Sequence, residues 1–310
     1  MTRSGFAPNP AISVCIPTYN HAHFLRDAID SVLAQTFTDF ELVVVDNCST
    51  DATRELVADF MARDGRIRYF CNEENIGPRE NLNRCLQHAL APLVKILCAD
   101  DLLEPTSLER SFRVMSAHPE VALVANARQL VDEELRPLRI AGYAERDLLV
   151  DGWQMIKYSL FNGNYIGEPG AVLYRKADAM PGFATSYRLL IDLELWLRLL
   201  EKGSLYFLAE PLCRFRVHAG QETNNVITSF DYLDEEVALY DKYVRQGAVA
   251  VSLINWLKWH FKVAWTISLP VLAKVDQQAL LAKVGGYRGH RLLGLIFRGR
   301  IICSKLLYSA

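Results

Sequence analysis

The chain has 310 residues, with 34 Lys and Arg against 36 Asp and Glu for a formal charge of −2, and 51% hydrophobic, 10% aromatic and 23% charged residues. These are ordinary globular values, which exclude wholesale disorder and collagen-like repeats, and the length suits one large domain or two modest ones. The near-zero charge argues against a nucleic-acid binder, which needs a basic footprint on its phosphate-facing surface.

The first 127 residues alternate short apolar strands with amphipathic helices. Ile12, Val14 and Ile16 start the series, and Leu25, Ala28, Ile29, Val32 and Leu33 follow at helical spacing. Leu42 to Val45 is a continuous run typical of a strand buried on both faces. Ser49-Thr50-Asp51 then offers three residue types that accept bonds from free helix N–H groups. Ile67 to Phe70 reads as a third strand, and Gly77-Pro78 opens a helix with the stripe Leu82, Cys85, Leu86, Ala89 and Leu90. Leu93 to Leu97 is the fourth strand, ending in Ala99-Asp100-Asp101, and Thr106-Ser107-Leu108-Glu109 has capping-box spacing ahead of the next helix. This alternation predicts an α/β fold with a mostly parallel central sheet and helices on both faces.

Residues 128–170 are less regular and concentrate Gly and Asn in Asn162-Gly163-Asn164-Tyr165-Ile166-Gly167. Ala171 to Tyr174 reads as a strand and Leu190 to Leu200 as a helix, with Trp196 and Leu200 as core positions. Leu205 to Leu208 and Leu212 to Val217 read as two further strands leading into His218. From about residue 231 the pattern is helical, with 11 Lys and Arg against 6 Asp and Glu, leaving 23 against 30 before it. The expected organisation is an α/β domain over 1–225 and a helical, basic region over 226–310.

Seven scattered cysteines form no C-x-x-C pair, so a zinc ribbon or a thioredoxin-type redox pair has no spacing to rest on. Burial as small core hydrophobes and a reducing compartment are the simple readings. The first ten residues lack the apolar stretch of a secretory signal, and no apolar run reaches the roughly 20 residues needed to span a bilayer. A cytoplasmic protein, at most attached to a membrane surface, is expected. Trp256, Trp259 and Trp265, then Arg288, Arg291, Arg298, Arg300 and Lys305 among apolar residues, suit an anionic membrane surface; a cap on the α/β domain or an oligomer contact is the alternative.

Ligands of parallel sheets bind beyond the carboxyl ends of the strands. Three polar clusters follow strands there: Pro17-Thr18-Tyr19-Asn20, Asp46-Asn47-Cys48-Ser49, and Asp100-Asp101. Adjacent carboxylates repel unless something positive joins them, and hard oxygen ligands suit Mg²⁺ or Mn²⁺ with substrate phosphates completing the shell. A solvated acidic pair at a helix approach is the alternative for Asp100-Asp101 alone.

These clusters continue, in order, with Asn75-Ile76-Gly77, Pro105, Asp192-x-x-x-Trp196-x-Arg198 and Arg216-x-His218. Over roughly residues 10–220 the series resembles glycosyltransferase family 2, sugar-nucleotide enzymes of the GT-A fold. The resemblance implies an inverting transfer from a nucleoside-diphosphate sugar to a hydroxyl of a glycan or lipid-linked glycan, in bacterial cell-surface polysaccharide assembly. It implies a nucleotide-sugar site of Pro17, Tyr19, Asn20, Asp46, Asn47, Asn75, Gly77, Arg79 and Asp100. Within it Tyr19 would stack on the base, Asp46 and Asn47 bond the base edge, Arg79 meet a phosphate, and Asp100 bond the ribose. Asp101, with His218, would hold the metal, and Asp192 would be the general base, with Glu194 in reserve. Two positions depart from the family's pattern: Cys98 stands where many relatives have a third acid before the pair, and Ile191 where many have Glu before the base. A fold-retaining scaffold without turnover is the alternative. A nucleotidyltransferase lacks its glycine-rich basic loop here, and a dinucleotide oxidoreductase lacks G-x-G-x-x-G.

Overall fold

A computed structural model describes residues 9–221, 231–245 and 247–250. The chain divides into two compact units, Met1–Ser229 and Phe230–Ala310. Of the second, helix α8 (Asp231–Tyr240) and a π-helical turn over Asp241–Arg245 are described. The tryptophan-bearing and arginine-rich stretches beyond residue 250 lie outside the described residues. Among the described residues no helix is long and apolar enough to cross a membrane.

The first unit is built on one sheet. Strands β1 (Ile12–Thr18), β2 (Phe40–Asp46), β3 (Ile67–Cys71) and β4 (Leu93–Ile96) alternate with helices α1 (Ala22–Leu33), α2 (Thr53–Met61) and α3 (Pro78–His88). After them come β5 (Leu102–Leu103), α4 (Ser107–Ala117), β6 (Val121–Val131), β7 (Pro137–Ala141), β8 (Leu148–Val150) and α5 (Gly152–Asn162). The unit ends with β9 (Val172–Arg175), α6 (Lys176–Ala179), α7 (Ile191–Leu200) and β10 (Ser204–Arg216).

The sheet order is β3-β2-β1-β4-β9-β6-β10-β5, with β7 on β6 and β8 on β10. The expected parallel sheet is the half formed by β3, β2, β1 and β4. Beyond it, β9 runs antiparallel to both β4 and β6, and β10 returns parallel to β6. The sheet as a whole is therefore mixed. The two strands expected around 205–217 are one strand, whose register slips between Leu208 and Cys213. Pro211 sits in that slip, where a residue without an N–H interrupts the ladder at least cost.

Burial follows the sequence pattern. All seven residues of β2 are buried, and α1 buries Phe24, Leu25, Ala28, Ile29 and Val32 along one stripe. Each buried Val, Leu, Ile or Phe among them contributes about 1.5–3 kcal/mol. One of the seven is Glu41, which is tolerable because Arg68 pairs with it at 2.7 Å and Ser13 Oγ and the Leu90 N–H donate to it, each across 2.6 Å. The capping box expected at Thr106 does not form: Thr106 makes no side-chain cap bond. Glu109 instead accepts from Thr36 Oγ1 at 2.8 Å and pairs with Arg113. A tertiary partner outcompetes the local one.

Candidate active site

The parallel register aligns the strand ends, with Thr18 opposite Asp46 and Asp46 opposite Cys71. The β1–α1 and β2–α2 loops are then stitched together. The Asn47 N–H donates to Thr18 O at 2.9 Å, the Asn20 N–H to Ser49 Oγ at 2.9 Å, and the Thr50 N–H to Asn20 Oδ1 at 2.8 Å. Asn20 adopts φ 55°, a left-handed conformation that asparagine tolerates better than most residues. Asp51, in the loop just ahead of α2, accepts from the Ala22 N–H at the head of α1 as well as from Thr53. Tyr19, bracketed by these bonds and following Pro17 and Thr18, is 41% exposed.

Asp46 and Asn47, expected at a base edge, are buried and engaged with protein groups. Asp46 accepts from the Ser49 N–H, from Ser49 Oγ and from the Tyr69 hydroxyl at 2.6 Å. Burial and that carboxylate together push the Tyr69 phenol well above its ordinary range. Asn47 donates to Asn75 Oδ1 at 2.7 Å and accepts from Asn72 and from the Ile76 N–H. Asn75 Oδ1 also accepts the Gly77 N–H, and Gly77 takes φ 85° as it turns the chain into α3. Arg79, expected to meet a phosphate, donates in this geometry to the carbonyls of Thr185 and Tyr187, tying α3 to the segment that leads into α7.

The acidic corner follows β4. Ligand atoms of Cys98, Asp100 and Asp101 lie within 4.8 Å of one another. Asp101 is buried; its Oδ1 accepts the Arg216 N–H at 3.0 Å, and Oδ2 has no hydrogen-bond donor among the described residues. Burial, then the neighbouring Asp100 charge, push this carboxyl well above the usual range. His218 meets Asp100, with Nε2 3.0 Å from Oδ2, and so joins the corner through Asp100 and not through Asp101. Its ring packs on Phe24 at 4.8 Å and lies 6.4 Å from His21. Arg216 crosses the same corner, over the Phe24 ring at 4.5 Å and paired with Asp27 at 3.0 Å.

These residues fit a divalent cation. A buried carboxylate with one backbone donor, a second acid beside it and an imidazole in contact form a hard-donor cluster short of positive charge. At the Cys98 position, where a third acid was missing from the sequence, the corner holds a thiol. Burial and then the two aspartates keep it protonated, well above the ordinary thiol range.

Asp192 lies in the first turn of α7 and is half-buried. Its Oδ1 accepts the Leu193 N–H at 2.6 Å, and Oδ2 accepts the Asn164 amide at 3.1 Å. Burial raises its pKa to about 7 against the lowering by the Leu193 N–H, and Glu168 adds to the rise. Ile191 thus leaves no acid adjacent in sequence, but Glu168 supplies one from another loop. Glu194 pairs with Arg198 at 3.3 Å, and Trp196 is fully buried with Nε1 on Gly167 O at 3.0 Å.

Residues 163–170 connect the two corners. Asn164 and Gly167 bond Asp192 and Trp196 on α7, Glu168 pairs with Arg128 of β6, and Gly170 lies against Asp101 Oδ2. Lys95, fully buried on β4, donates to Gly170 O at 2.8 Å, and burial lowers its pKa to about 8. Lys95, Arg128, Asn164 and Glu168 were not singled out from the sequence. The visible signals were the Gly- and Asn-rich run at 162–167, which holds Asn164, and a lysine inside the apolar run of β4.

The sequence model described as "Glycosyl transferase family 2" matches residues 13–179, over half of the chain. An uncharacterized protein of Mycobacterium tuberculosis (strain CDC 1551 / Oshkosh) is 32% identical over 230 residues, 71% of each chain. TuaG of Bacillus subtilis (strain 168), named as a candidate teichuronic acid biosynthesis glycosyltransferase, is 30% identical over 71% of this chain and 82% of its own. Among solved structures, Staphylococcus aureus TarS 1–349 in complex with UDP-GlcNAc superposes with TM-score 0.61 at 20% identity, over 93% of this chain and 91% of that one. The mannosyltransferase PcManGT of Pyrobaculum calidifontis, in complex with GDP-Man and Mn²⁺, gives 0.59 at 19%, over 92% and 83%. At such identities the likeness carries the fold, which is GT-A-like. The chain belongs to glycosyltransferase family 2 and is a glycosyltransferase.

Proposed function

We propose that the chain transfers a sugar from a nucleoside-diphosphate sugar to a hydroxyl of a glycan or lipid-linked glycan, with inversion at the sugar carbon and with Mg²⁺ or Mn²⁺ at the acidic corner. The observation that carries this reading is Asp192. It is a carboxylate with a pKa near 7, held by Asn164 in the 163–170 loop that also reaches the acidic corner at Gly170. Glu168 is paired with Arg128 and Glu194 with Arg198, so of the three acids Asp192 is the one suited to take a proton. One base without a partner nucleophile supports single displacement.

In this account the Tyr19 ring takes the nucleobase, and the loop built by Pro17, Asn20, Asp46, Asn47, Asn75 and Gly77 holds the base end of the donor. Arg79 fixes the segment before α7. Asp100 meets the ribose, and Asp101 with His218 would hold the cation. When bound there, a divalent cation supplies charge neutralisation to the departing diphosphate. Asp192 accepts the acceptor's proton at a carboxylate oxygen as the new bond forms.

Cell-surface polysaccharide assembly is the proposed setting, supported by the name of TuaG. Action on the cytoplasmic face of a membrane is the proposed location, and it rests on the basic stretch beyond residue 250. The test is a panel of UDP-, GDP- and dTDP-sugars with Mn²⁺, read by nucleoside-diphosphate release and by NMR of the product's anomeric proton. Inversion is the expected result and retention contradicts it. Binding without release or transfer would favour a non-catalytic scaffold.

A further inference from the structure

Three tyrosines without an assigned role form a row that ends in the loop bonded to Asp192. Tyr143 lies between β7 and β8, Tyr158 on α5, and Tyr165 in the loop that bonds the base. Tyr143 and Tyr158 meet edge to face with centroids 5.0 Å apart, and Tyr158 and Tyr165 do the same at 5.5 Å. The inner end rests on Phe207 of β10, itself buried, at 5.9 Å. Tyr143 and Tyr158 are half-buried, and Tyr165 is 41% exposed. None of the three hydroxyls has a hydrogen-bond partner among the described residues.

The outer ring is displayed by a fixed loop. Gly163 and Gly167, at φ 98° and 119°, bracket it in conformations that other residues adopt poorly. The Tyr165 N–H donates to Gly163 O at 3.0 Å, and the Gly167 N–H to Asn164 Oδ1 at 3.0 Å. Asn164, adjacent to Tyr165, also holds the Asp192 carboxylate. The same short loop therefore positions the base and carries an exposed aromatic ring one residue from the anchor.

A sugar ring is apolar on its C–H faces and polar at its rim. A rigid tyrosine offers the matching face, and its neighbours' free hydroxyls offer partners for the rim. We propose that Tyr165, backed by Tyr158 and Tyr143, is the subsite that seats a sugar ring of the acceptor and brings its hydroxyl to Asp192. This rests on the reading of Asp192 as the base of a glycosyl transfer.

The experiment uses the full chain with UDP and Mn²⁺ and a panel of octyl mono- and disaccharides, read by saturation-transfer NMR and by acceptor KM, with UDP affinity measured alongside. Tyr165→Ala should abolish transfer of saturation to the sugar ring protons and raise acceptor KM about tenfold or more. It should change kcat and UDP affinity less than about twofold, and Tyr165→Trp should restore glycoside binding. Glycoside binding unchanged in both Tyr165→Ala and Tyr158→Ala overturns the subsite, as does a wild-type protein that binds UDP but none of the glycosides. Wild-type protein that binds no nucleotide and hydrolyses no donor sinks the transferase reading itself, which is a different result.

Discussion

Asn164 donates its side-chain amide to Oδ2 of Asp192 across 3.1 Å, so the proposed base is anchored to a loop as well as to its own helix. The same asparagine accepts the Gly167 N–H, and Gly167 in turn accepts from Trp196 one helical turn beyond Asp192. Loop and helix are fastened at two points four residues apart. Any slack at Asn164 would therefore move the carboxylate relative to the acidic corner.

Removing the base and removing its anchor should differ in size and combine in a particular way. Asp192→Asn should lower kcat by about 10²–10⁴, the usual worth of a general base. Asn164→Ala should lower it by about 10–100, because it misplaces the base without deleting it. As Asn164 acts through Asp192, the double variant should be no slower than Asp192→Asn alone. Steady-state kinetics with nucleotide titrations check this, and nucleotide affinity should be unchanged in all three.

The pH dependence has a definite sign. Asp192 must be ionised to accept a proton, and its pKa in the metal-free protein is raised to about 7. kcat/KM should therefore fall as pH drops through about 7 and level off above it, and the limb should vanish in Asp192→Asn. Glu168 contributes to the rise, so Glu168→Gln should move the limb to lower pH. A limb that stays in place, or moves up, would contradict the assignment.

Lys95 gives a stability prediction of the same kind. Its folded pKa of about 8 lies below the ordinary lysine value, so between pH 8 and about 10 the unfolded chain binds more protons than the folded one. Stability then rises with pH through that window as the buried charge is lost. Urea unfolding at pH 8 and pH 10 should show wild type gaining relative to Lys95→Met, which lacks the titrating group. A constant difference between the two proteins would contradict it.

Gly152 starts α5 against the carbonyls of Leu200 and Gly203, and a Cβ there would collide with both backbone oxygens. Gly152→Ala should cost about 1–3 kcal/mol, since backbone cannot give as a flexible side chain can. Thermal melting measures it. An unchanged melting temperature would mean that α5, which carries Tyr158, is held less tightly than described.

The parts of the fold legible in the sequence are those governed by local pattern. β1 to β4 are short, mostly apolar stretches separated by helices of regular spacing, and their ends carry the polar clusters that meet at the site. β9 could be found as a strand, but its antiparallel place between β4 and β6 depends on pairing that no local window contains. The supports of Asp192 were hidden for the same reason: Asn164 is 28 residues from it in sequence and joins it only in the fold. Lys95 stood out as a lysine in an apolar strand, but its partner, Gly170 O, lies 75 residues away and meets it only in the fold. Thr106 had the right spacing for a cap, yet its intended partner Glu109 is engaged by Thr36 from 73 residues away.

The proposed transfer requires the carboxylate of Asp101 to bring a cation to the donor's diphosphate. Calorimetric titration of UDP and GDP into the protein with Mn²⁺, with EDTA, and into Asp101→Asn with Mn²⁺ measures that directly. At least one nucleotide should bind with Mn²⁺, and its binding should be lost in EDTA and in Asp101→Asn. Equal affinity in all three titrations would contradict the account.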